Sequence, residues 1–333
     1  MDLGKQNILF FTRTMMLGGT ENVVLQLCEV FKPKVNKIVV CSCGGVNVEK
    51  LTEMGIRHYQ IPDISSKKDM FKICRTVKKI VEKEQITVIH SHHRMAAFYT
   101  EILFGSSIIK IANAHNTFFD KKLLTRFAYR NTKVIAVGKM VKKNLVDYFR
   151  IPEKQVSVIH NAVKPFDGDY IEDKYIRKLH DDGNFVVGNI GRLSEQKGME
   201  YFIEAIPKIL KKYPRTRFVI AGNGEDEQKL FSLVKKLGIE ECIKFLGYRK
   251  DVQNLMSQLD LIVLSSLWEG LPLTPIEAYS VGRAIVATRV DGTPEIVRDG
   301  VDGYLIDPKS LEQIAEAVCK VIENDETVSY THL

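Results

Sequence analysis

The fold is decided by the stretch Trp268-Glu269-Gly270-Leu271-Pro272-Leu273-Thr274-Pro275-Ile276-Glu277-Ala278, which follows the apolar run of residues 261–266. An apolar run, a loop with glycine and proline, and a helix start come in that order, which predicts a strand-loop-helix unit. Thr274 suits the N-cap and Pro275 suits the first helical position. The backbone amides of this helix start then face the edge of the sheet where parallel α/β proteins bind ligands.

Two carboxylates flank this predicted helix start. Glu269 lies in the loop before it, and Glu277 lies in the first turn after it. A helix N-terminus attracts an anion by roughly 0.3–1 kcal/mol, and the two carboxylates accept hydrogen bonds from hydroxyl groups. The predicted ligand therefore has a phosphate between hydroxyl-bearing groups. Two alternatives stay open: Glu277 only completes a capping box with Thr274, and Glu269 is only a solvated loop residue.

Charge is distributed unevenly along the 333 residues, a length that suits two domains. Residues 1–163 hold 26 Lys+Arg against 13 Asp+Glu, net +13, whereas residues 164–333 hold 22 against 28, net −6. Basic groups repeat on three predicted helical segments of the first half. This asymmetry predicts a polyanionic partner surface for the first half, and we expect anionic membrane and no nucleic acid, because no recognised nucleic-acid-binding module is present.

The composition also predicts where the protein works. The six cysteines show no paired C-x-x-C spacing, which is typical of reduced thiols in a cytosolic protein. No signal sequence precedes the first apolar run, and no run approaches the roughly 20 apolar residues that cross a bilayer. We therefore expect a cytoplasmic protein that is peripheral at the inner face of the cell membrane.

Strand and helix patterns alternate in both halves, which predicts an α/β fold with doubly wound parallel sheets. The run of residues 7–11 is continuously apolar, which is typical of a strand that is buried on both faces. Further segments that read as strands are residues 38–41, 57–61, 88–90, 108–112, 134–137, 156–163, 185–190, 217–221, 243–248, 261–266 and 284–288. Residues 164–183 are charged with little apolar periodicity, which predicts a linker. The predicted domains are residues 1–163 and 184–333.

The first half carries two sets of candidate site residues. Gly18 and Gly19 lie in the turn before the first helix, where glycine lets a ligand approach the backbone, although a glycine pair is also an ordinary turn. Four histidines follow two of the strands: His90, His92, His93 and His115. We expect no metal site, because no Cys, Asp or Glu joins them at ligand spacing. His115 is the favoured functional residue, and its alternative is a turn residue bonded to backbone.

The second half places two cations in a glycine turn. Arg192 and Lys197 follow the strand of residues 185–190 and precede a helix, which predicts phosphate binding by the Arg fork and the Lys point charge. The alternative is a surface lysine and an interdomain ion pair of the arginine. Gly222 ends the next strand in another glycine-rich turn.

Together these motifs resemble the retaining glycosyltransferases of family four. The matching residues are Gly18-Gly19-Thr20-Glu21, Gly191-Arg192-Leu193 with Lys197-Gly198, the glutamates 269 and 277, Gly292-Thr293-Pro294-Glu295 and Asp302-Gly303-Tyr304-Leu305. The resemblance covers nearly the whole chain. It implies a GT-B fold, with two facing Rossmann-like domains of parallel sheets and a cleft that holds a nucleotide-sugar.

The resemblance also implies which residues hold the nucleotide diphosphate. By similarity, Arg192 and Lys197 neutralise its charge and the Gly18-Gly19 pair lets the first loop close on it. Gly222 and Tyr248 would lie beside the base. Since cations fill the role that a metal has in other sugar transferases, and no Asp-x-Asp follows an apolar strand, no metal or other cofactor is expected. UDP is the preferred nucleotide on family frequency.

The remaining roles implied by the resemblance concern the helix start and the sugar. The amides of Leu273 and Thr274 would contact the diphosphate, Glu277 the ribose hydroxyls and Glu269 the sugar hydroxyls. His115 would meet the sugar from the other domain. Retention is implied to proceed with the leaving diphosphate accepting the acceptor's proton, so that catalysis consists of positioning and charge stabilisation.

These features predict transfer of a sugar to a polysaccharide, oligosaccharide or lipid-linked acceptor in the synthesis of a bacterial capsule, exopolysaccharide or other surface glycan. Two alternatives are a nucleotide-sugar epimerase of the same architecture and an idle nucleotide-sugar-binding protein. An oxidoreductase is least favoured, since the dinucleotide glycine fingerprint is absent. The family normally continues past the helix of residues 311–322 into a further helix, so truncation and a sequence-end artefact both stay open.

Overall fold

The computed structural model describes residues 2–323, so the predicted departure of the tail from the family lies outside the described residues. The chain forms two compact units, Met1–Asn161 and Ala162–Leu333. The predicted boundary after residue 163 lies just beyond this division.

The first unit contains a seven-stranded parallel sheet in the order β3-β2-β1-β4-β5-β6-β7. Its strands are β1 Asn7–Phe11, β2 Lys37–Ser42, β3 Arg57–Gln60, β4 Val88–Ser91, β5 Ile109–Ala114, β6 Lys133–Ala136 and β7 Val156–Val158. Its helices are α1 Gly19–Phe31, α2 Val48–Glu53, α3 Met70–Lys83, α4 Arg94–Phe104, α5 Lys122–Ala128 and α6 Lys139–Lys143, which continues as a π-helical turn over Asn144–Tyr148. The predicted doubly wound sheet is confirmed.

Helices cover both faces of this first sheet, which explains why its strands are apolar without alternation. In β1, Leu9 and Phe11 pack in one core cluster with Ile73 of α3. Ile8 and Phe10 of the same strand pack in a second cluster with Val24 of α1. Every residue of β1 is buried as a result.

The second unit contains a six-stranded parallel sheet in the order β10-β9-β8-β11-β12-β13. Its strands are β8 Phe185–Ile190, β9 Thr216–Ala221, β10 Ile243–Gly247, β11 Leu261–Leu264, β12 Ala284–Thr288 and β13 Gly303–Ile306. Its helices are α7 Lys174–Asp181, α8 Met199–Lys212, α9 Glu227–Leu237, α10 Val252–Met256, α11 Leu273–Ser280 and α12 Leu311–Glu323. This unit is also doubly wound, as predicted.

Three local assignments from the sequence were wrong. The charged segment of residues 164–183 contains helix α7, because Ile176 and Leu179, one turn apart, are buried in the core and Asp173 caps the helix start. The run of residues 156–163 forms a strand only over Val156–Val158. Strand β13 was not predicted as a strand.

The order of the strands identifies the ligand-binding position in each unit. In each sheet the chain reverses its winding direction between two neighbouring central strands, β1 and β4 in the first unit and β8 and β11 in the second. Ligands of open parallel sheets bind beyond the carboxyl ends of the strands at such a switch point. The loops that follow these four strands therefore carry the candidate site.

Candidate active site

Lys197 and Glu269 form an ion pair at the switch point of the second unit. Lys197 ends a short 3-10 turn after β8, and its Nζ lies 2.5 Å from Oε1 of Glu269. Both side chains are largely buried, with 18% and 8% of their surface exposed. Ser266 Oγ donates to the same carboxylate oxygen at 2.7 Å. The alternatives of a surface lysine and a solvated loop glutamate were therefore wrong.

Backbone contacts hold the β8 and β11 loops together around this pair. Gly198 has φ of +55°, and a Cβ there would lie 2.4 Å from the Ser265 carbonyl oxygen, so only glycine fits. Ser265 Oγ donates to the Lys197 carbonyl at 3.1 Å and accepts from Asn189 Nδ2 at 3.0 Å. These contacts hold the main chain at Lys197 and Gly198 against the β11 loop that leads to Glu269.

Helix α11 begins at Leu273, earlier than predicted. Pro272 occupies the N-cap position without a side-chain hydrogen bond, so the assignment of Thr274 as N-cap and Pro275 as first helical residue was wrong. Pro275 can lie within the first turn because the first four N–H groups of a helix have no intrahelical acceptor, so a proline there removes no hydrogen bond. Leu273 and Thr274 are the first two helical residues, so their amides belong to this unpaired set.

Glu277 does not form the alternative capping box with Thr274, because Thr274 lies inside the helix and the N-cap position, Pro272, has no side-chain cap bond. The Glu277 carboxylate is partly buried, and it has no side-chain hydrogen bond within residues 2–323. Burial raises its pKa above the ordinary value, while the positive charge of Lys197 lowers it. A partly buried carboxylate that is close to a cation and lacks a hydrogen-bond donor is suited to bind ligand hydroxyls.

Arg192 is an exposed residue of the loop that follows β8. The β9 loop supports this segment: a Cβ on Gly222 would lie 1.8 Å from the Gly191 carbonyl oxygen, and Leu193 N donates to the Asn223 carbonyl at 3.0 Å. Gly222 is therefore required by contact between two backbones, a reason that the sequence did not indicate. Tyr248, just past β10, is 39% exposed.

The predicted glycine pair of the first unit lies where β1 leads into α1. Gly18 is the N-cap of α1 with an extended backbone, a conformation that any residue adopts, and Gly19 is the first helical residue. Glu21, buried in the first turn of this helix, accepts a hydrogen bond from Thr14 Oγ1. Glu21 therefore anchors the loop between Thr14 and the glycine pair.

The four predicted histidines gather at the carboxyl ends of β4 and β5. His115 follows β5 directly; its ring lies 5.3 Å from that of His92, and the His92 Nδ1 to His115 Nε2 distance is 3.1 Å. His90 Nε2 bonds to Asn113 Oδ1 at 2.8 Å, and His93 caps α4 by accepting from the Met95 amide. The alternative of a turn residue bonded to backbone was therefore wrong for His115, whose partner is a side chain.

These histidines are neutral at physiological pH. Burial lowers the pKa of His90 to about 4, that of His93 to about 4 and that of His115 to about 3. Neighbouring histidines and, for His93, nearby arginines add to the lowering. Each ring therefore carries one N–H at pH 7 and serves as a hydrogen-bonding group without charge.

Two kinds of feature are absent from the part of the chain that the structure describes. Among residues 2–323, no group of three or more His, Cys, Asp or Glu side chains is arranged to hold a metal ion. In the same range no helix has both the length and the apolar character needed to span a bilayer.

Sequence reasoning missed two residues that support the site, and it named His92 without giving it a role. Ser266 bonds to Glu269, Asp291 accepts from the Glu269 amide at 2.8 Å, and His92 bonds to His115. Asp291 has φ of +40°, an unusual backbone for a residue other than glycine. No local pattern marks these partners, although Ser266 is the last residue of the predicted strand of residues 261–266.

Comparison with known families agrees with this architecture. The family "Glycosyltransferase Family 4" matches residues 17–165, and the family "Glycosyl transferases group 1" matches residues 171–331. Together the two matches span nearly the whole chain, one on each compact unit.

Individual relatives are distant but extend over most of the chain. An uncharacterised glycosyltransferase of Methanocaldococcus jannaschii is 28% identical over 84% of this chain and 76% of its own length. The UDP-Gal:alpha-D-GlcNAc-diphosphoundecaprenol alpha-1,3-galactosyltransferase of Escherichia coli is 26% identical over 93% and 86%. The crystal structure of Anabaena HepE in complex with UDP has a TM-score of 0.82 at 22% identity, covering 96% of this chain and 91% of that one.

The two parallel α/β units, which the Anabaena structure shares, define the GT-B fold. The chain belongs to the group 1, family four glycosyltransferases, whose members retain the anomeric configuration. It takes its sugar from a nucleotide-sugar donor.

Proposed function

We propose that the protein transfers a sugar from a UDP-sugar to a glycan or lipid-linked acceptor in the synthesis of a bacterial surface polysaccharide or glycolipid. The observation that carries the donor part is the Lys197–Glu269 pair with Glu277 beside it at the β8/β11 switch point. The Escherichia coli relative is named for a UDP-sugar donor and a diphosphoundecaprenol acceptor. This name supports UDP as the nucleotide and a lipid-linked glycan as the acceptor.

The proposed donor contacts divide into phosphate and hydroxyl partners. Arg192 and Lys197 neutralise the diphosphate, aided by the free amides of Leu273 and Thr274. Glu277 accepts from the ribose hydroxyls, and Glu269 accepts from the sugar hydroxyls.

The other proposed contacts are carried over from the family resemblance. Gly222 and Tyr248 lie beside the base, and Gly18, Gly19 and His115 of the first unit serve the diphosphate and the sugar.

The charges of the second unit fit a leaving diphosphate. When the bond from the anomeric carbon to the phosphate oxygen breaks, negative charge grows on that oxygen, and a preplaced Lys197 ammonium stabilises it. The acceptor oxygen then bonds to the anomeric carbon on the same face, and its proton passes to the phosphate oxygen. Because Glu269 already holds the Lys197 ammonium in place, little reorganisation is needed when the bond to the phosphate oxygen breaks.

Calorimetric titration with UDP, GDP, ADP and their sugars, all in EDTA, tests the donor. We expect UDP-sugar binding and turnover to persist in EDTA. Binding only to GDP compounds contradicts the nucleotide, and turnover that vanishes in EDTA and returns with magnesium or manganese contradicts the metal-independent site. Interconversion of the sugar without any acceptor indicates an epimerase, and binding without turnover indicates an idle binding protein.

Variants of the ion pair test the site itself. Lys197→Met removes a charged hydrogen bond to phosphate worth about 1.5–3 kcal/mol, so UDP affinity should fall roughly 10- to 150-fold. Because this change leaves Glu269 buried without a cation, the double variant with Glu269→Gln separates loss of charge from misfolding. Lys229→Met, in an exposed ion pair with Glu200, is the matched control and should bind UDP normally.

The membrane part of the proposal concerns a surface of the first unit around α5. Phe119 and Leu123 expose 73% and 81% of their surfaces. Exposed basic residues lie close to them in the sequence of this segment: Lys121, Lys122, Arg126 and Arg130. Apolar anchors together with a polybasic surface are the two signals that bind a protein reversibly to anionic lipid. This surface, the α5 patch, therefore supports docking at the membrane that holds a lipid-linked acceptor.

A further inference from the structure

His92 is the most buried member of the histidine cluster and is not explained by the proposed donor contacts. It is 2% exposed, and its ring lies between those of His90 and His115, at 4.5 and 5.3 Å. Its Nδ1 bonds to His115 Nε2 at 3.1 Å. Its Nε2 is fully buried and has no hydrogen-bond partner within residues 2–323. This ring therefore uses one nitrogen for His115 and leaves the other bare.

The unpartnered nitrogen decides which ring carries the shared proton. Both rings are neutral, so only one nitrogen of the His92–His115 bond holds a hydrogen. If His115 donated, His92 would carry its N–H on the buried Nε2, where nothing in the described chain accepts it, and a buried donor without an acceptor is unfavourable. Buried N–H groups without acceptors are rarer in proteins than unmet acceptors. His92 therefore donates from Nδ1, and His115 Nε2 accepts.

This assignment fixes the chemistry of His115. With Nε2 accepting, the single hydrogen of the neutral His115 ring lies on Nδ1, which makes no hydrogen bond within the described residues. We infer that His92 is a positioning residue that locks His115 as the Nδ1–H tautomer, so that His115 offers the donor a hydrogen bond and does not act as a base. This inference rests on the proposed role of His115.

The tautomer is measurable without any variant. Nitrogen-15 NMR of the histidine-labelled protein at pH 7 should show His115 protonated on Nδ1 and bare on Nε2, with the resonance assigned by its loss in His115→Gln. A spectrum with the proton on His115 Nε2 overturns the inference. This measurement does not depend on turnover. If the protein processes no nucleotide-sugar, the proposed function is rejected, but the tautomer of His115 is still measured.

Two variants of His92 connect the tautomer to activity. His92→Phe keeps an aromatic ring but removes the donor, so His115 should become a mixture of tautomers and kcat/KM for the UDP-sugar should fall about tenfold. Affinity for UDP alone should not change. His92→Asn places an amide N–H near the position of Nδ1 and should restore both the tautomer and most of the activity.

A control separates this effect from general damage. His58→Asn alters a histidine on β3 that bonds to Ser42 Oγ at 2.8 Å, and it should leave the His115 tautomer and kcat/KM unchanged. If His92→Phe folds with a wild-type tautomer at His115, or if His92→Asn is as impaired as His92→Phe, the positioning role is rejected.

Discussion

Glu277 shows how one side chain receives its role from its surroundings. The carboxylate neither caps α11 nor accepts a hydrogen bond in the described chain, and its folded pKa is raised. A raised carboxyl pKa means that its contribution to stability is present at low pH and is lost as pH rises through the folded pKa. Ionisation of this carboxylate therefore lowers stability, which supports the proposal that Glu277 is kept for binding.

We expect Glu277→Gln to be at least as stable as wild type at pH 7 and to bind UDP about 10- to 150-fold more weakly, since charged hydrogen bonds to ribose hydroxyls contribute about 1.5–3 kcal/mol. Thermal unfolding and calorimetry measure the two quantities. Glu316→Gln, an exposed glutamate of α12, is the control and should change neither. Equal UDP affinity in wild type, Glu277→Gln and Glu277→Ala rejects the binding role.

Loops between neighbouring elements of the second unit depend on glycine for two different reasons. Gly222 has φ of +143°, and an added Cβ would lie 1.8 Å from the Gly191 carbonyl oxygen. Gly238, which ends α9, has φ of +65° and open space around it. Glycine is required at position 222 by a close backbone contact, and it is favoured at position 238 only by the positive φ.

The two glycines predict different losses of stability. Gly222→Ala should lower the free energy of unfolding by about 3 kcal/mol or more, because backbone strain and a clash with main chain add together. Gly238→Ala should lower it by only about 1 kcal/mol. Urea unfolding of both variants measures the difference, and equal losses contradict the proposed close approach of the β8 and β9 loops.

Acid stability of the first unit should depend on its histidine cluster. The folded pKa values of His90 and His93, about 4, and of His115, about 3, lie below the unfolded value of about 6.5. Their stabilisation is present above pH 6.5 and is lost as pH falls toward the folded values, by at most about 1.4 kcal/mol per pH unit for each histidine. The charged groups facing His93 are Arg13, Arg94, Lys121 and Asp63.

Urea unfolding between pH 7 and pH 4.5 tests this dependence. His90→Gln keeps an amide donor for Asn113 but does not titrate, so its stability should fall less steeply than that of wild type. The carboxylates of Asp63 and Glu84, with pKa lowered to about 2 by their basic and hydroxyl partners, lose their contribution only at lower pH. A wild-type stability that is constant from pH 7 to pH 4.5 contradicts the prediction.

For the whole chain, the charge asymmetry and the α5 patch predict salt-sensitive membrane binding. We expect co-sedimentation with phosphatidylglycerol vesicles at low salt and weaker binding at high salt, because screening shortens the reach of the basic residues. Phe119→Glu with Leu123→Glu should reduce binding at both salt concentrations. Val301→Glu, which changes an exposed apolar residue of the second unit, is the control.

Two outcomes contradict docking through this patch. One is the absence of binding at low salt. The other is binding that is reduced neither by high salt nor by the double variant Phe119→Glu with Leu123→Glu. Binding to phosphatidylglycerol and equally to neutral phosphatidylcholine contradicts the electrostatic contribution.

Short-range patterns in the sequence were enough to predict most of the strands and the edge of each sheet that carries the candidate site. Continuous apolar runs such as residues 7–11 and 185–190 form buried parallel strands, because each residue of such a run faces a helix layer on one side or the other. Glycine turns with charged residues after the strands indicated the ligand-binding edge. Helix α7 was hidden because two apolar residues one turn apart are too few for a visible period.

Which of these residues contact one another depends on the three-dimensional fold. Lys197 and Glu269 are 72 residues apart, and they pair because β8 and β11 are neighbours at the switch point. His92 and His115 meet because β4 pairs with β5. The start of α11 also depended on its surroundings, since proline is tolerated at several positions of a first turn. Strand order and loop contacts are long-range properties, and no local pattern of residues specifies them.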